Sequence, residues 1–198
     1  VIDTARQDRR GMWWWNGWRS EGPDRSEEVA PIRFKPGGVV PPHITPFTPG
    51  GELDEEGLRR DVDFWIESGV HGLVPCGSNG EAVYMSREER GRVIEAVLDQ
   101  ANGRVPVLAG TGSAGTRQAV ELTRDAADLG VDGVVVVTPY YFRPSQEEVY
   151  RYYRDVAEAV DVPVVLYNVP KFTGLNLEPG TVERLAEVGN VVGIKDSS

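Results

Sequence analysis

A lysine follows a short apolar run near the end of the chain, in the sequence Val-Val-Gly-Ile-Lys195. The run is typical of a buried strand, so Lys195 would stand at the strand's carboxyl end. An amine that is partly withdrawn from water is less favoured in its charged form. A neutral amine can attack a ketone to form a Schiff base, whose iminium group stabilises a carbanion next to it. Lys195 is therefore a candidate nucleophile for making or breaking a carbon–carbon bond.

This chemistry also needs a proton shuttle and donors for a substrate carboxylate. Tyr167 ends the preceding apolar run, which makes its phenol the candidate general acid and base. The turn Gly77-Ser78-Asn79-Gly80 follows an earlier run. The side chains of Ser78 and Asn79, with the backbone N–H groups from Gly77 to Gly80, are the candidate carboxylate donors.

The elements that would position these residues form a repeating pattern. Short apolar runs recur about every thirty residues, which is the spacing of a strand–helix unit. The runs are continuous rather than alternating, as in parallel strands that are buried on both faces. Amphipathic stretches separate them, so that six strands and five helices alternate from residue 37 onward. The pattern predicts an α/β fold, either a doubly wound open sheet or a (β/α)8 barrel. The runs are GVVPPHITPF, HGLVPC, VPVLAG, DGVVVVTP, VPVVLYN and VVGIK.

Composition limits the classes of partner. The 198-residue chain has a net charge of −10 and a pI near 4.8, so it lacks the basic footprint that nucleic acids and anionic membranes need. Cys76 is the only cysteine, which excludes an internal disulfide and fits a cytoplasmic protein. Residues 1–36 break every apolar run, and we interpret them as a disordered or non-native leader. Residues 37–198 are predicted to form one domain, a partial barrel.

Three other kinds of site were considered. The only histidines, His43 and His71, do not have the spacing of metal ligands, so no metal site is predicted. Cys76 closes an apolar run and is interpreted as a packed small residue rather than a nucleophile. The segment Gly110-Thr-Gly-Ser-Ala-Gly115 matches a dinucleotide fingerprint, which leaves a nicotinamide-dependent oxidoreductase open. It follows the third run rather than the first, and no acidic residue closes the next run, so a tight turn is favoured.

Six short motifs together resemble those of the dihydrodipicolinate synthase / N-acetylneuraminate lyase family of pyruvate-dependent class I aldolases. The resemblance covers residues 38–198, and its specificity comes from the combination and order of the motifs. It implies a TIM (β/α)8 barrel, rather than an open sheet, with a Schiff-base lysine on strand six at Lys195. The motifs are GSNGE, AGTG, VTPYY, YNVP, TG at positions 173–174, and GIKD.

The resemblance also implies roles for the other site residues. Tyr167 would be the acid–base phenol, while Ser78 and Asn79 would hold the substrate carboxylate. Tyr141 would complete a proton relay by reaching into the site of a neighbouring subunit. The substrates implied are pyruvate and an aldehyde, without a cofactor or metal ion. The assembly implied is a homotetramer built from dimers.

Two positions depart from the family's synthases and bear on the substrate. Ser78-Asn79 stands where those enzymes usually have two threonines. Phe172, beside Thr173, stands where they have an arginine that grips the carboxylate of the aldehyde, and a benzyl ring cannot make that bidentate contact. The departures favour a 4-hydroxy-2-oxoglutarate or 2-keto-3-deoxy-sugar-acid aldolase that releases pyruvate. Besides the oxidoreductase, two alternatives stay open: 4-hydroxy-tetrahydrodipicolinate synthase, which condenses pyruvate with aspartate semialdehyde, and a non-catalytic barrel that binds 2-oxo acids.

The resemblance also predicts that the barrel is truncated after strand six, because a barrel of this type has about 250 residues in eight strands. The sheet could not close, and its edges would be exposed. We expect the 198 residues alone to aggregate and to be inactive. Size-exclusion chromatography and an activity assay check this, and a monodisperse, active 198-residue protein would contradict it.

Overall fold

The computed structural model describes residues 37–198, together with the backbone of residues 6–7 and 13–14. The interpretation of residues 1–36 as a leader otherwise lies outside the described residues. Within that segment, β1 (Arg6–Gln7) and β2 (Trp13–Trp14) pair antiparallel. The elements that follow are α1 (Glu55–Glu67), the 3-10 helix η1 (Ala82–Tyr84), α2 (Arg87–Ala101), β3 (Leu108–Gly110), α3 (Thr116–Asp128), β4 (Gly133–Val137), α4 (Gln146–Ala157), β5 (Val164–Asn168), α5 (Pro170–Thr173), α6 (Pro179–Leu185) and β6 (Val191–Asp196).

The strands β3, β4, β5 and β6 form a parallel sheet in chain order. The first two apolar runs continue this sheet only through single parallel bridges, Pro42 with Val74 and Leu73 with Val107. They were predicted as full strands, but proline has no N–H group to donate to a ladder. The order never reverses, as it would at the switch point of a doubly wound sheet. The prolines in these two runs are Pro41, Pro42, Pro46 and Pro75.

The helices begin and end where local sequence signals place them. Both predicted capping boxes are present. The Ser86 and Ser145 hydroxyls accept from the backbone N–H of Glu89 and Glu148, and the carboxylates of these glutamates accept from the backbone N–H of the serines. Gly69, Gly103 and Gly130 follow helices with positive φ, as the sequence predicted for helix ends. Of the described helices, none is both long and apolar enough to cross a membrane.

The sheet divides the apolar side chains into two cores, because alternate residues of a strand point to opposite faces. The outer core lies between the sheet and the helices, and it includes Val134 and Leu166 packed with residues of α2 and α4 such as Tyr153. The inner core contains Val74, Leu108, Val135, Val165, Tyr167 and Val169. The inner core lies on the face that would become the interior of a barrel, and Tyr167 belongs to it.

The outer core should carry much of the stability. Leu166 is 1% exposed, and Leu129 at the end of α3 is 39% exposed. We expect Leu166→Ala to lower the free energy of unfolding by about 2–5 kcal/mol, because it leaves a cavity. The matched change Leu129→Ala should cost less than about 1 kcal/mol. Urea unfolding measures both, and equal losses would contradict the placement of Leu166 in the outer core.

Candidate active site

Lys195 and Tyr167 lie side by side at the carboxyl ends of neighbouring strands. Residues 167 and 195 are partners in the parallel register of β5 and β6. The Lys195 Nζ atom lies 3.7 Å from the centroid of the Tyr167 ring, which is a cation–π distance. Lys195 is half-buried, and Tyr167 is 7% exposed. The structure thus brings the predicted nucleophile and the predicted acid–base phenol together.

A bulge in β6 turns Lys195 toward the inner face of the sheet. Val164 pairs with Val191, but Val165 pairs with Gly193, so β6 has one more residue than β5 at this point. Val191 packs in the outer core and Val192 against the inner core, whereas Ile194 packs against the outer core again. Strict alternation from Val191 would send residue 195 outward. The extra residue reverses that phase and places the amine beside Tyr167.

A cavity lies over the end of the inner core and is lined by both residues. Gly77 and Ser78 of the predicted carboxylate turn line it too. The rest of the lining is mainly apolar, and such walls strengthen electrostatic interactions by excluding water. The sequence analysis did not assign these residues to the wall of a cavity, although Val135 and Val137 occupy alternate positions of β4. They are Pro42, Val74, Cys76, Ala82, Val83, Gly110, Gly112, Val135 and Val137.

The turn that carries Ser78 has an unusual backbone. Cys76 and Glu81, at its two ends, have φ values of 57° and 56°, in the left-handed region that non-glycine residues rarely adopt. Such conformations cost about 1–3 kcal/mol each and persist only where the surroundings enforce them. The turn is closed by the Glu81 N–H donating to the Ser78 carbonyl (3.2 Å) and the Ala82 N–H donating to the Gly77 carbonyl (3.4 Å).

The glycines of the Gly110–Gly115 segment allow strand ends to approach each other. A Cβ atom on Gly110 would collide with the Cys76 carbonyl, and one on Gly112 would lie 2.5 Å from the Val137 side chain. The Ser113 N–H donates to the Tyr152 hydroxyl (3.2 Å) and is therefore not free for a phosphate. These contacts favour the tight-turn interpretation of the segment over the dinucleotide fingerprint.

The remaining predicted residues do not line the cavity. Tyr141 is 87% exposed, with a left-handed φ of 80° and its ring 4.9 Å from that of Phe142. Phe172 is 64% exposed, with the Lys171 Nζ atom 5.8 Å from its ring centroid. Asn79 is exposed within the Gly77–Gly80 turn. The roles that the sequence assigned to these loop residues stay predictions.

Gly80 and Thr173 are buried in supporting positions. A Cβ atom on Gly80 would lie 3.1 Å from the His43 carbonyl, so the turn packs directly on the first apolar run. The Thr173 hydroxyl lies within hydrogen-bond distance of the Val169 carbonyl (3.3 Å) and the Leu175 carbonyl (3.1 Å). It also accepts the Leu175 N–H (3.3 Å), so all of these contacts are with the backbone of its own loop.

The cysteine and the histidine near the site are held in neutral forms. Burial raises the pKa of the Cys76 thiol to about 12, so the thiol stays protonated at neutral pH, as its interpretation as a packed residue requires. Burial also lowers the pKa of His43, whose Nδ1 lies 3.0 Å from the Ile44 carbonyl. Within residues 37–198, no group of three potential metal-ligating side chains is present.

Two buried polar residues near the site were missed by the sequence reasoning. Asn168, after Tyr167, donates from Nδ2 to Asp196 (2.8 Å) and so ties the end of β5 to the end of β6. Arg90 of α2 is only 6% exposed, because it lies on the same helical face as the buried Val93 and Val97. A polar residue within an apolar run, or a charge within an apolar stripe, was the available signal in each case.

Comparisons with known proteins place this arrangement in a family. Residues 35–198 match the family model described as the dihydrodipicolinate synthetase family. A relative from Pelobacter propionicus, named 4-hydroxy-tetrahydrodipicolinate synthase, is 54% identical over 161 residues, which cover 81% of this chain and 55% of the relative. The chain thus spans about half the length of such curated relatives.

Solved structures show the same likeness. The chloride-inhibited dihydrodipicolinate synthase from Acinetobacter baumannii, complexed with pyruvate, is 45% identical with a TM-score of 0.80, covering 81% of this chain and 55% of that one. A monomeric dihydrodipicolinate synthase variant is 40% identical with a TM-score of 0.78, covering 81% and 54%. This similarity confirms the predicted TIM-barrel fold class.

The β6 bulge provides a test of the site's geometry. Deleting Val192 removes the extra residue, so Gly193 follows Val191 and strict alternation keeps the Lys195 amine on the inner face, opposite Tyr167. Deleting Val192 and Gly193 together places Lys195 opposite Leu166 and turns its amine toward the outer core. We expect borohydride to trap pyruvate on Lys195 in the full-length protein, in Val192→Ala and in the single deletion, but not in the double deletion. Peptide mass mapping locates the adduct, and circular dichroism verifies folding. Trapping on Lys195 in a folded double-deletion variant would contradict the assignment of the inner face by the β5–β6 register.

Proposed function

The chain belongs to the dihydrodipicolinate synthetase family, and from that premise we propose that it is part of a Schiff-base lyase or synthase that makes or breaks a carbon–carbon bond to pyruvate. The observation that carries the proposal is the Lys195 amine, 3.7 Å from the Tyr167 ring centroid at the mouth of a mainly apolar cavity. The predicted nucleophile, the predicted proton shuttle and part of the predicted carboxylate turn meet at this point.

The reaction begins with the neutral Lys195 amine attacking the carbonyl carbon of pyruvate to give a carbinolamine. Loss of water then gives the iminium. Removal of a proton from the neighbouring methyl group leaves an enamine, which attacks the aldehyde carbon. Tyr167 moves protons to and from the oxygen atoms. Only the neutral amine is a nucleophile, so Lys195 must be without its extra proton at each attack.

The carboxylate of pyruvate would bind at the Gly77–Gly80 turn. Gly77 and Ser78 line the cavity, and the left-handed residues at the ends of the turn fix its backbone. Backbone N–H groups held in this way can bind an anion without reorganising. Asn79, at the exposed edge of the turn, would join the set on the substrate side.

The name of the similar protein favours 4-hydroxy-tetrahydrodipicolinate synthase over the aldol cleavage expected from the sequence. We therefore propose aspartate semialdehyde as the second substrate. An identity of 54% extends over 161 residues, or 81% of the chain. The family model matches residues 35–198, which include all the residues that line the cavity. Of the three departures, Asn79 and Phe172 lie exposed away from the cavity wall, whereas Ser78 lines the cavity and keeps the hydroxyl group that a threonine would supply.

Aldol cleavage of a 2-keto-3-deoxy acid is the second candidate, and Phe172 favours it. The side chain is 64% exposed in the loop after β5, where it offers no donor to a second carboxylate. An acceptor aldehyde without a carboxylate would suit this loop better. Steady-state assays with aspartate semialdehyde, and with a keto-deoxy acid in the cleavage direction, separate the two activities.

Subunit contacts are part of the proposal. Tyr141 is 87% exposed on a left-handed backbone, and the neighbouring Phe142 is 77% exposed. Such a strained, exposed aromatic pair favours a contact with a second copy of the chain. The predicted homotetramer of dimers would supply this copy, and Tyr141 would then act at the neighbouring site. The cytoplasmic location stays a prediction.

The acid–base role of Tyr167 predicts a large loss of rate on substitution. Tyr167→Phe in the full-length protein should lower kcat by about 10²–10⁴, the usual contribution of general acid–base catalysis. Tyr150→Phe removes a hydroxyl from α4, where the ring stacks with Arg184, and should change kcat little. Turnover is measured with pyruvate and aspartate semialdehyde. Near-normal turnover in Tyr167→Phe would remove the tyrosine from this role.

The role of position 172 predicts a gain of function. Phe172→Arg should raise kcat/KM for aspartate semialdehyde by about 10–100-fold, because hydrogen bonds to charged groups contribute about 1.5–3 kcal/mol. Phe172→Lys supplies the charge without the planar fork and should give a smaller gain. An unchanged kcat/KM in both variants would show that this loop does not contact the second substrate's carboxylate.

A further inference from the structure

Arg90 is a buried cation beside the candidate active site. It is 6% exposed and lies in α2. Its Nη2 donates to the Ala82 carbonyl (2.5 Å), and its Nη1 donates to the Gly112 carbonyl (3.4 Å). Ion pairs between residues 37–198 involve the exposed Arg87 and Arg92 of the same helix, but none involves Arg90.

A buried guanidinium without a carboxylate partner is costly, and proteins normally pair such a charge. The two carbonyl groups solvate part of the guanidinium, but they carry only partial charge. An anion supplied by a substrate would complete the pairing. The cavity next to Arg90 is where such an anion would bind, because Ala82 and Gly112 both line it.

The same contacts fix the geometry of the carboxylate turn. Ala82 lies just beyond Glu81 at the end of the turn, and Gly112 lies just beyond β3, so the guanidinium joins two segments at the edge of the cavity. A carbonyl oxygen that faced the cavity would repel a carboxylate. Arg90 donates a hydrogen bond to each of these oxygens and so holds both of them toward α2. The Cys76 thiol adds a further tie, since its Sγ lies 3.8 Å from the Arg90 carbonyl.

Charge complementarity points the same way. The chain has a net charge of −10, which opposes the approach of a small anion. Lys195 is the only basic residue among those that line the cavity. Its positive charge is absent when the amine is the neutral nucleophile. A fixed positive charge behind the turn would keep the potential favourable at that stage, because the apolar walls reduce screening.

We infer that Arg90 is a positioning residue for the carboxylate of a 2-oxo acid: it orients the Ala82 and Gly112 loops and supplies a permanent positive potential behind the Gly77–Gly80 turn. The inference rests on the proposed function and deepens it. It names the property of the substrate that the site recognises first, the carboxylate next to the ketone.

The test compares an anionic ketone with a neutral one. Pyruvate and methyl pyruvate present the same ketone to Lys195, but only pyruvate has a carboxylate. Concentration dependence of borohydride trapping on Lys195 gives an apparent Kd for each compound in the full-length protein. The variants are Arg90→Met, which removes the charge, Arg90→Gln, which keeps amide donors, and Arg90→Lys, which keeps the charge.

We expect Arg90→Met and Arg90→Gln to raise the apparent Kd for pyruvate by about 10-fold or more, as for the loss of one charged interaction. The apparent Kd for methyl pyruvate should rise by less than about 3-fold, because this compound has no carboxylate. Arg90→Lys should recover most of the pyruvate affinity. Arg92→Met, which removes an exposed charge from the same helix, should change neither compound. Equal weakening of both compounds, or no weakening, would overturn the inference and leave Arg90 a structural clamp.

Two further outcomes are distinguished by the same design. If Arg90→Met does not fold, as judged by thermal melting, the pair Arg90→Gln and Arg90→Lys decides, because they differ in charge at similar size. An equal pyruvate affinity in that pair would overturn the inference. If the unsubstituted protein traps neither compound on Lys195, the proposed function fails. Calorimetry then measures separately whether the Arg90 variants change the affinity for pyruvate.

Discussion

The pairing of β5 with β6 is the interaction on which the candidate site depends. Parallel pairing brings the carboxyl ends of both strands to one edge of the sheet, and register then makes residues 167 and 195 neighbours. Paired residues of neighbouring strands point to the same face, so this register also places the Lys195 amine on the face of Tyr167. The bulge at Val192 makes the register compatible with the pairing of Val164 with Val191. Backbone hydrogen bonding thus precedes, and makes possible, any chemistry at Lys195.

A second constraint comes from the close approach of the strand ends. Gly110 must lack a side chain because the Cys76 carbonyl occupies that space, and Cys76 is itself in a left-handed conformation. The strain is local, and the ties around it are several, including the Gly110 N–H donating to the Pro75 carbonyl (2.9 Å). The N–H groups of the following turn are therefore fixed before a ligand arrives, which is the preorganisation that anion binding requires.

The sequence predicted the parts of the fold that depend on local pattern. Continuous apolar runs identified the strands, capping boxes identified the starts of α2 and α4, and the position of Lys195 after its run predicted its meeting with Tyr167. The bulge at Val192 was not predictable, because a run such as Val-Val-Gly-Ile contains no signal for a one-residue shift of register. The first two strands were overpredicted because prolines break their ladders while leaving their apolar character intact.

The site residues show the same contrast between positions that local sequence pattern predicts and positions that it does not. The strand residues Lys195 and Tyr167, and the first half of the carboxylate turn, line the cavity. Asn79, in the second half of that turn, and the loop residues Tyr141 and Phe172 are exposed and do not line it. Loop conformation depends on what packs against the loop, and a single chain's pattern does not encode a neighbouring subunit or a substrate. The strand-borne half of the site is shared by both candidate activities. Discrimination between them must therefore arise at the exposed loops, where a cation for the second carboxylate is missing at position 172 and where a neighbouring chain could add groups of its own.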